Sequence, residues 1–340
     1  MGRGTTAELK GSKPGLTLTG GLALCVAALA FGAVMIGPFG LSPGQTLAAL
    51  LGQGERQAEI VVWNIRLPRV AAALLVGAAL AAAGASYQAL FRNPLVSPDI
   101  LGVSAGAGLG AVAGIFLSLP VAAIQASAFV GGMAAVGIVT LVASMVRNTD
   151  RTLTLVLIGV VIGALAGAAT SLLKVTADPY DQLPAITFWL LGSHAAITTE
   201  DNLPALPMVL IGLLPLALLR WRINVLSLGD EEARALGVEA GRTRFLVIAA
   251  ATLITASVTA LAGVVGWVGL VIPHIARMLV GPGFGRLLPA SVLIGAGYLL
   301  IVDTAARTMA QAEVPLGILT AVIGAPFFVW LLARGRRGWS

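Results

Sequence analysis

The chain has 340 residues, of which 58% are hydrophobic and only 11% are charged, and its mean hydropathy is +0.95. A soluble protein carries about a quarter charged residues, so lipid is the expected solvent for most of this surface. The single cysteine, Cys25, excludes a disulfide framework, and two histidines, His194 and His274, are too few for a histidine-rich metal site. The net charge of +6 does not indicate nucleic acid, because the basic residues follow the ends of apolar runs, which is the pattern of membrane orientation.

Apolar segments of roughly 20 residues recur along the chain and predict about ten membrane-spanning helices. The first is too long for the apolar core of a signal peptide, so we interpret it as a retained span. The predicted spans are Leu16–Ile36, Asn64–Leu90, Ile100–Leu117, Ala122–Val146, Thr152–Val175, Leu203–Leu219, Phe245–Ala262, Val268–Val280, Leu288–Arg307 and Leu316–Ala333. The eighth is short, and it could extend back through Gly263. The predicted fold class is therefore an all-α polytopic membrane protein with one domain over residues 1–340 and an N-terminal tail over residues 1–15.

The distribution of basic residues predicts the orientation of these spans. An even number of spans places both termini on one side, and with that side inside, most of the 21 Lys and Arg residues lie on inner loops. We therefore expect a multi-pass membrane protein with both termini in the cytoplasm. The outer exceptions are Arg56, Arg66, Arg69, Lys174 and Arg307.

Residues Ser227–Arg244 form a polar segment between the sixth and seventh spans, within a predicted cytoplasmic stretch of residues 226–244. Ser227 and Asp230 have the spacing of a helix N-cap followed by an acid at the third position, and Gly237 suits a left-handed helix end. The sequence thus predicts a short surface helix of about two turns. It could be a solvated connector or a docking handle for a soluble partner, and the local sequence alone favours the connector.

Three outer arginines depart from the charge bias. Arg66 and Arg69 lie three residues apart, hence on one helix face, and Pro68 favours a helix start there. Arg307 ends the ninth span, one turn after Asp303. These charges could pair with local acids such as Asp303 or with lipid phosphates, or they could dock an acidic soluble protein, and composition does not decide between these alternatives.

Two glycine- or proline-containing stretches predict structure rather than chemistry. Asn93-Pro94 and Ser97-Pro98 favour turns, so Phe91–Asp99 is predicted to form a rigid inner corner. The following GVSAGAGLG lies within a span and follows no strand, so its glycines indicate helix packing rather than a phosphate site. The chain contains no P-loop motif, so any ATP-driven role requires another subunit.

Ionisable residues within the spans are few. Asp303 and Lys174 lie toward outer ends, and the nearly bare midplane argues against an ion-coupled carrier. His274 follows Pro273 and is interpreted as structural, whereas His194 is interpreted as a solvated loop residue.

Several stretches together resemble one family. RLPR, QALFRNPLVSPDILGVSAGAG, FWLLGS, LSLGDEEARALGV, GWVGLVIPHIARMLVG, RLLPAS and PLGILTAVIGAPFFVWLL occur in the order found in the membrane permeases of ABC importers for iron–siderophore complexes, haem and cobalamin. The match covers nearly the whole chain from the second span onward.

The resemblance implies a ten-span subunit of the bacterial inner membrane that forms a homodimer, or sometimes a heterodimer. Two cytoplasmic ATPase subunits and one periplasmic or surface binding protein complete the transporter. The chain itself is expected to bind no cofactor or metal, while ATP and Mg²⁺ bind the partner ATPase. The resemblance also assigns residue roles. Coupling to the ATPase is assigned to Leu228, Asp230, Glu231, Glu232, Arg234, Leu236 and Gly237; docking of the binding protein to Arg66, Arg69 and Arg307; and gating to Asn93, Leu95, Asn148 and Thr149.

Substrate identity stays open at this stage. A ferric siderophore is the first choice, and haem, cobalamin and oxyanions such as molybdate are alternatives. A carrier driven by an ion gradient is the alternative function. A membrane enzyme is disfavoured, because the sequence contains no paired midplane carboxylates or nucleophile–base set.

Overall fold

The computed structural model describes residues 14–146, 151–310 and 312–334, and the regular structure in these ranges is entirely helical. The helices are α1 (Pro14–Met35), α2 (Pro43–Leu50), α3 (Arg56–Ile60), α4 (Leu67–Leu90), α5 (Val103–Phe116), α6 (Val121–Met145), α7 (Arg151–Thr176), α8 (Gln182–Leu191), α9 (Thr199–Leu218), α10 (Arg220–Leu226), α11 (Asp230–Ala235), α12 (Ala240–Ala262), α13 (Val268–Val280), α14 (Phe284–Ala306) and α15 (Leu316–Arg334). A π-helical stretch, Val61–Arg66, joins α3 to α4, and a 3₁₀ turn, Pro98–Leu101, precedes α5.

The all-helical membrane fold predicted from the sequence is confirmed. Within the described ranges, 7 helices are long and apolar enough to cross a bilayer. The third, eighth and tenth predicted spans coincide with the shorter helices α5, α13 and α15. With 14 residues, α5 is about 21 Å long, against a hydrocarbon core of about 30 Å. The total of ten spans therefore stays a prediction.

The second span begins earlier than predicted. Pro68 lies in the first turn of α4, as predicted, but helical structure continues upstream of it to Arg56. The π-helical stretch explains this difference, because the N–H of Leu67 bonds to the carbonyl of Val62, five residues back. The wider turn accommodates the proline ring and its missing N–H without ending the helix.

Two further boundaries differ from the prediction. The eighth span does not extend back through Gly263, because residues 263–267 are not helical and Trp267 has a φ of 71°. Gln182–Leu191 forms a helix of its own, α8, which none of the predicted spans includes.

The polar segment contains a short helix, as predicted, but Ser227 does not cap it. The Ser227 hydroxyl donates instead to the Asn224 carbonyl of α10 at 2.6 Å, and Gly229, with a φ of 143°, precedes α11. Only a glycine adopts this backbone conformation readily, so the chain turns at Gly229 and not at the serine. The left-handed end at Gly237 is confirmed by its φ of 76°.

Helix α4 lies at the centre of the fold and packs against α9, α12, α13 and α14. Small residues permit this close approach, since a Cβ on Gly77 would overlap the Gly295 carbonyl of α14. A Cβ on Gly84 would likewise overlap the Gly269 carbonyl of α13. Gly106 of α5 meets Gly131 of α6 in the same way, which confirms that the GVSAGAGLG stretch serves helix packing.

The Gly84 contact yields a first prediction. Glycine-to-alanine substitution inside a helix ordinarily stabilises by roughly 0.5–1 kcal/mol, but the added methyl of Gly84→Ala meets backbone, which cannot rotate away. We expect a lower apparent melting temperature of the detergent-solubilised protein for Gly84→Ala. Gly137→Ala is the matched control, because Gly137 in α6 has open space around it. Equal melting temperatures for both variants would contradict the packing described.

Candidate functional site

A buried carboxylate, Asp303 of α14, organises the end of the fold predicted to face outward. Its side chain has 0% exposure. Arg69 of α4 donates from Nε to both carboxylate oxygens, at 2.9 and 3.0 Å. His194 Nδ1 lies 3.1 Å from Oδ1, and Arg307 Nε lies 3.7 Å from Oδ2. One carboxylate therefore joins α4, α14 and the segment between α8 and α9.

Glu313, in the segment between α14 and α15, completes the pairing of Arg69. The two terminal nitrogens of Arg69 donate to the two Glu313 oxygens at 2.8 and 2.7 Å, which is a bidentate pair. Ser193 Oγ also donates to Glu313, at 3.1 Å. The Glu313 side chain is 25% exposed, in contrast to Asp303. We call Arg69, Ser193, His194, Asp303, Arg307 and Glu313 the outer network.

Arg66 makes a different set of contacts, to the end of α1. Its terminal nitrogens donate to the carbonyls of Val34 and Phe39 at 2.9 and 2.8 Å, and also reach Met35. Arg307 Nη2 donates to the neighbouring Ala33 carbonyl at 2.6 Å. Both cations thus satisfy carbonyls that the helix end leaves without partners, where positive charge is also favoured by the helix dipole.

The structure brings the three predicted docking arginines to one end of the fold, but it does not expose them. Arg66, Arg69 and Arg307 are 2%, 6% and 6% exposed. Each guanidinium finds oxygen acceptors within the chain. Arg69 and Arg307 pair with the local acid Asp303, which is one of the alternatives that the sequence left open. Their docking role stays a prediction.

His194 is also placed differently from its prediction. It is not a solvated loop residue, since its exposure is 0% and its Nδ1 faces Asp303. Sequence reasoning also missed Ser193 and Glu313. A signal for Glu313 was present in the sequence. Acids are rare in this chain, and Glu313 lies in the short loop after Arg307, whose positive charge had no assigned partner.

The inner corner folds as the sequence predicts. Asn93 Oδ1 accepts a hydrogen bond from the Leu95 N–H at 2.9 Å, and a 3₁₀ turn follows at Pro98. Both Asn93 and Leu95 are exposed in this single chain, and their gate role stays a prediction. The other two predicted gate residues, Asn148 and Thr149, lie outside the described residues. His274 is partly buried on α13, and its Nδ1 has no partner among the described residues.

The polar segment has a buried underside and an exposed apolar top. Ala233 and Val238 are 0% and 2% exposed, whereas Leu228 and Leu236 are 61% and 52% exposed. The charged residues Glu231, Glu232 and Arg234 are exposed as well.

An ion pair fixes this segment to a membrane helix. Arg244, near the start of α12, is 8% exposed, and its Nη2 lies 2.9 Å from Asp230 Oδ1. Asp230 is the first residue of α11, so the pair attaches the short helix directly to the base of α12.

Comparison with known proteins decides the family. The model of the FecCD transport family matches residues 24–334. The chain belongs to this family. The molybdate import system permease protein MolB of Haemophilus influenzae is 42% identical over 278 residues, which cover 82% of each chain. The Fe(3+)-citrate import system permease protein YfmE of Bacillus subtilis is 41% identical over 316 residues, covering 92% of this chain and 93% of the relative.

A solved structure agrees with this family. A metal-chelate type ABC transporter in an inward-facing conformation matches with a TM-score of 0.86 and 39% identity, covering 94% of this chain and 99% of that one. The resemblance inferred from the sequence motifs is thereby confirmed. This FecCD protein is a membrane permease subunit of an ABC importer.

Substitution of Asp303 tests the outer network. Asp303→Asn leaves Arg69 and Arg307 without their shared charge, and breaking a buried ion pair from one side costs about 3–5 kcal/mol. We expect a clear fall in apparent melting temperature, measured by thermal size-exclusion in detergent. Glu200→Gln, an exposed acid in the first turn of α9, is the control and should melt like the native protein. Native-like melting of Asp303→Asn would show that the network does not stabilise the fold.

Proposed function

We propose that this permease moves an iron chelate across the inner membrane, receiving it from a binding protein outside and driven by a separate ATPase inside. In this proposal, residues 1–340 form one permease domain with both termini in the cytoplasm, and ATP and Mg²⁺ bind the ATPase partner. The observation that carries it is the arrangement of two polar sites, the outer network and the polar segment, around an apolar helical body in a chain of this family.

The exposed top of the polar segment is our proposed contact with the ATPase. Two large apolar side chains, Leu228 and Leu236, beside the acids Glu231 and Glu232 form a surface that a cleft with apolar and basic walls would complement. The buried underside and the Asp230–Arg244 pair would make this surface rigid with α12. Movement of the ATPase would then move α12 rather than deform the segment.

A second copy of the chain is the proposed partner within the membrane. Helices α7, α8 and α15 leave large apolar side chains uncovered, including Leu157, Leu165, Phe188 and Trp330. Lipid could cover these faces too, but two copies meeting there would enclose a pathway on their common axis. The corner residues Asn93 and Leu95, with Asn148 and Thr149, are the proposed inner gate of that pathway.

Docking of the binding protein is proposed at the arginines of the outer end. Acidic residues of the binding protein would meet Arg66, Arg69 and Arg307 of both copies. Since these side chains are engaged within the chain, docking requires an exchange of partners at this end.

The choice of cargo rests on relatives whose names differ, including molybdate and ferric citrate importers. We propose a ferric chelate, either a siderophore complex or haem, because relatives named for ferric citrate and hemin import match more than nine tenths of this chain. Uptake of radioiron supplied as a chelate into cells expressing the complete transporter tests this, with labelled molybdate as the competing cargo. Uptake of molybdate alone would replace the iron proposal without affecting the permease assignment.

ATP dependence separates this function from the ion-gradient carrier. Uptake should persist when the proton gradient is collapsed and stop when the ATPase partner is inactivated. The reverse pattern would favour the carrier.

Leu236→Asp tests the ATPase contact. A charge at the exposed apolar position should abolish co-purification of the ATPase partner, or reduce it more than about tenfold, because a central apolar contact is worth 2 kcal/mol or more. The permease itself should remain folded, since Leu236 is half exposed. Leu119→Asp makes the same change on the predicted outer side, between α5 and α6, and should leave co-purification unchanged. Native co-purification of Leu236→Asp would remove the coupling role of this surface.

A further inference from the structure

All three guanidinium nitrogens of Arg69, which is 6% exposed, bond to acids of this chain. Its Nε bonds to Asp303, and Nη1 and Nη2 each bond to one oxygen of Glu313. An outside carboxylate that takes the bidentate position on Nη1 and Nη2 must therefore displace Glu313, which occupies it.

The two acids are not equally replaceable. Asp303 is fully buried in the last turn of α14 and is also held by His194 and Arg307. Glu313 lies in a non-helical segment, is 25% exposed, and is held by Arg69 and Ser193. Exposure, backbone freedom and the smaller number of partners all identify Glu313 as the acid that can leave.

Charge balance determines when it can leave. Asp303 alone cannot neutralise both Arg69 and Arg307, so loss of Glu313 without replacement would leave excess positive charge in a poorly solvated site. Replacement by another carboxylate preserves both the charge and the bidentate geometry. Release of Glu313 is therefore costly in the isolated permease and nearly balanced when an acidic partner is present.

We propose that Glu313 pairs with Arg69 only until docking, when an acidic side chain of the binding protein displaces Glu313 and pairs with Arg69 in its place. The inference rests on the proposed docking role and extends it to regulation of the same site. Docking would thereby also change the permease itself, because it frees the segment between α14 and α15 that carries Glu313.

The neighbouring contacts show which elements this release reaches. Ser193, which holds Glu313, is adjacent to Gly192, whose carbonyl accepts the N–H of Leu316 at 2.9 Å. The C-terminal end of α8 and the N-terminal end of α15 are thus joined by a backbone bond next to the Ser193–Glu313 hydrogen bond. Exchange at Arg69 loosens this junction between two helices whose apolar faces are uncovered in the single chain.

The test measures the affinity of the permease for its cognate binding protein, with the complete transporter in nanodiscs. Glu313→Gln removes the competing charge, so we expect binding about tenfold tighter, equivalent to about 1.4 kcal/mol. Glu200→Gln, on the same outer side, should leave affinity unchanged. Arg69→Ala should weaken binding, and Glu313→Gln should add nothing in that background.

The outcomes separate the two hypotheses. If Arg69→Ala weakens binding while Glu313→Gln leaves it unchanged or weakens it, docking at Arg69 stands and the exchange is wrong. If Arg69→Ala, folded by size-exclusion, binds as the native protein does, the docking role fails and the exchange fails with it. Should Glu313→Gln not fold, Glu313→Asp, which keeps the charge but shortens its reach, replaces it, and tighter binding is again expected. Unchanged affinity for that variant would overturn the exchange.

Discussion

The scarcity of water around the helices is the constraint on which the rest of this structure depends. In hydrocarbon, a polar group without a partner costs several kcal/mol, so polar chemistry is confined to places where the chain supplies partners. The outer network meets this requirement by placing Arg69, His194 and Arg307 around Asp303. The polar segment meets it by extending into water and attaching to α12 through Asp230 and Arg244.

The apolar body between these sites is suited to transmit movement. Helix α4 carries Arg69 near its start and contacts α13 and α14 at Gly84 and Gly77, where backbone meets backbone with no side chain between them. Such contacts have little freedom to deform, so displacement at one end of α4 moves the neighbouring helices as units. This agrees with a permease that works by rigid-body rearrangement and needs no tight substrate site in its pathway.

Features determined by a few adjacent residues were predictable from the sequence. The corner at Asn93, the left-handed end at Gly237 and the packing role of Gly106 each follow from local backbone preferences. The burial of His194 and Arg69 was not predictable in this way, because their partners Asp303 and Glu313 lie more than 100 residues away along the chain. Pro68 does lie in the first turn of α4, but the sequence did not predict the π-helical stretch that continues the helix upstream.

The central claim is that the outer network and the polar segment face opposite sides of the membrane. Single cysteines introduced into a Cys25→Ser background test it most directly, with a thiol reagent that does not cross membranes. The account predicts that Tyr180→Cys, an 88% exposed position between α7 and α8, reacts in intact cells. Glu232→Cys should react only after the membrane is opened. Labelling of Glu232→Cys from outside intact cells would contradict the orientation, and with it the proposed positions of the ATPase and the binding protein.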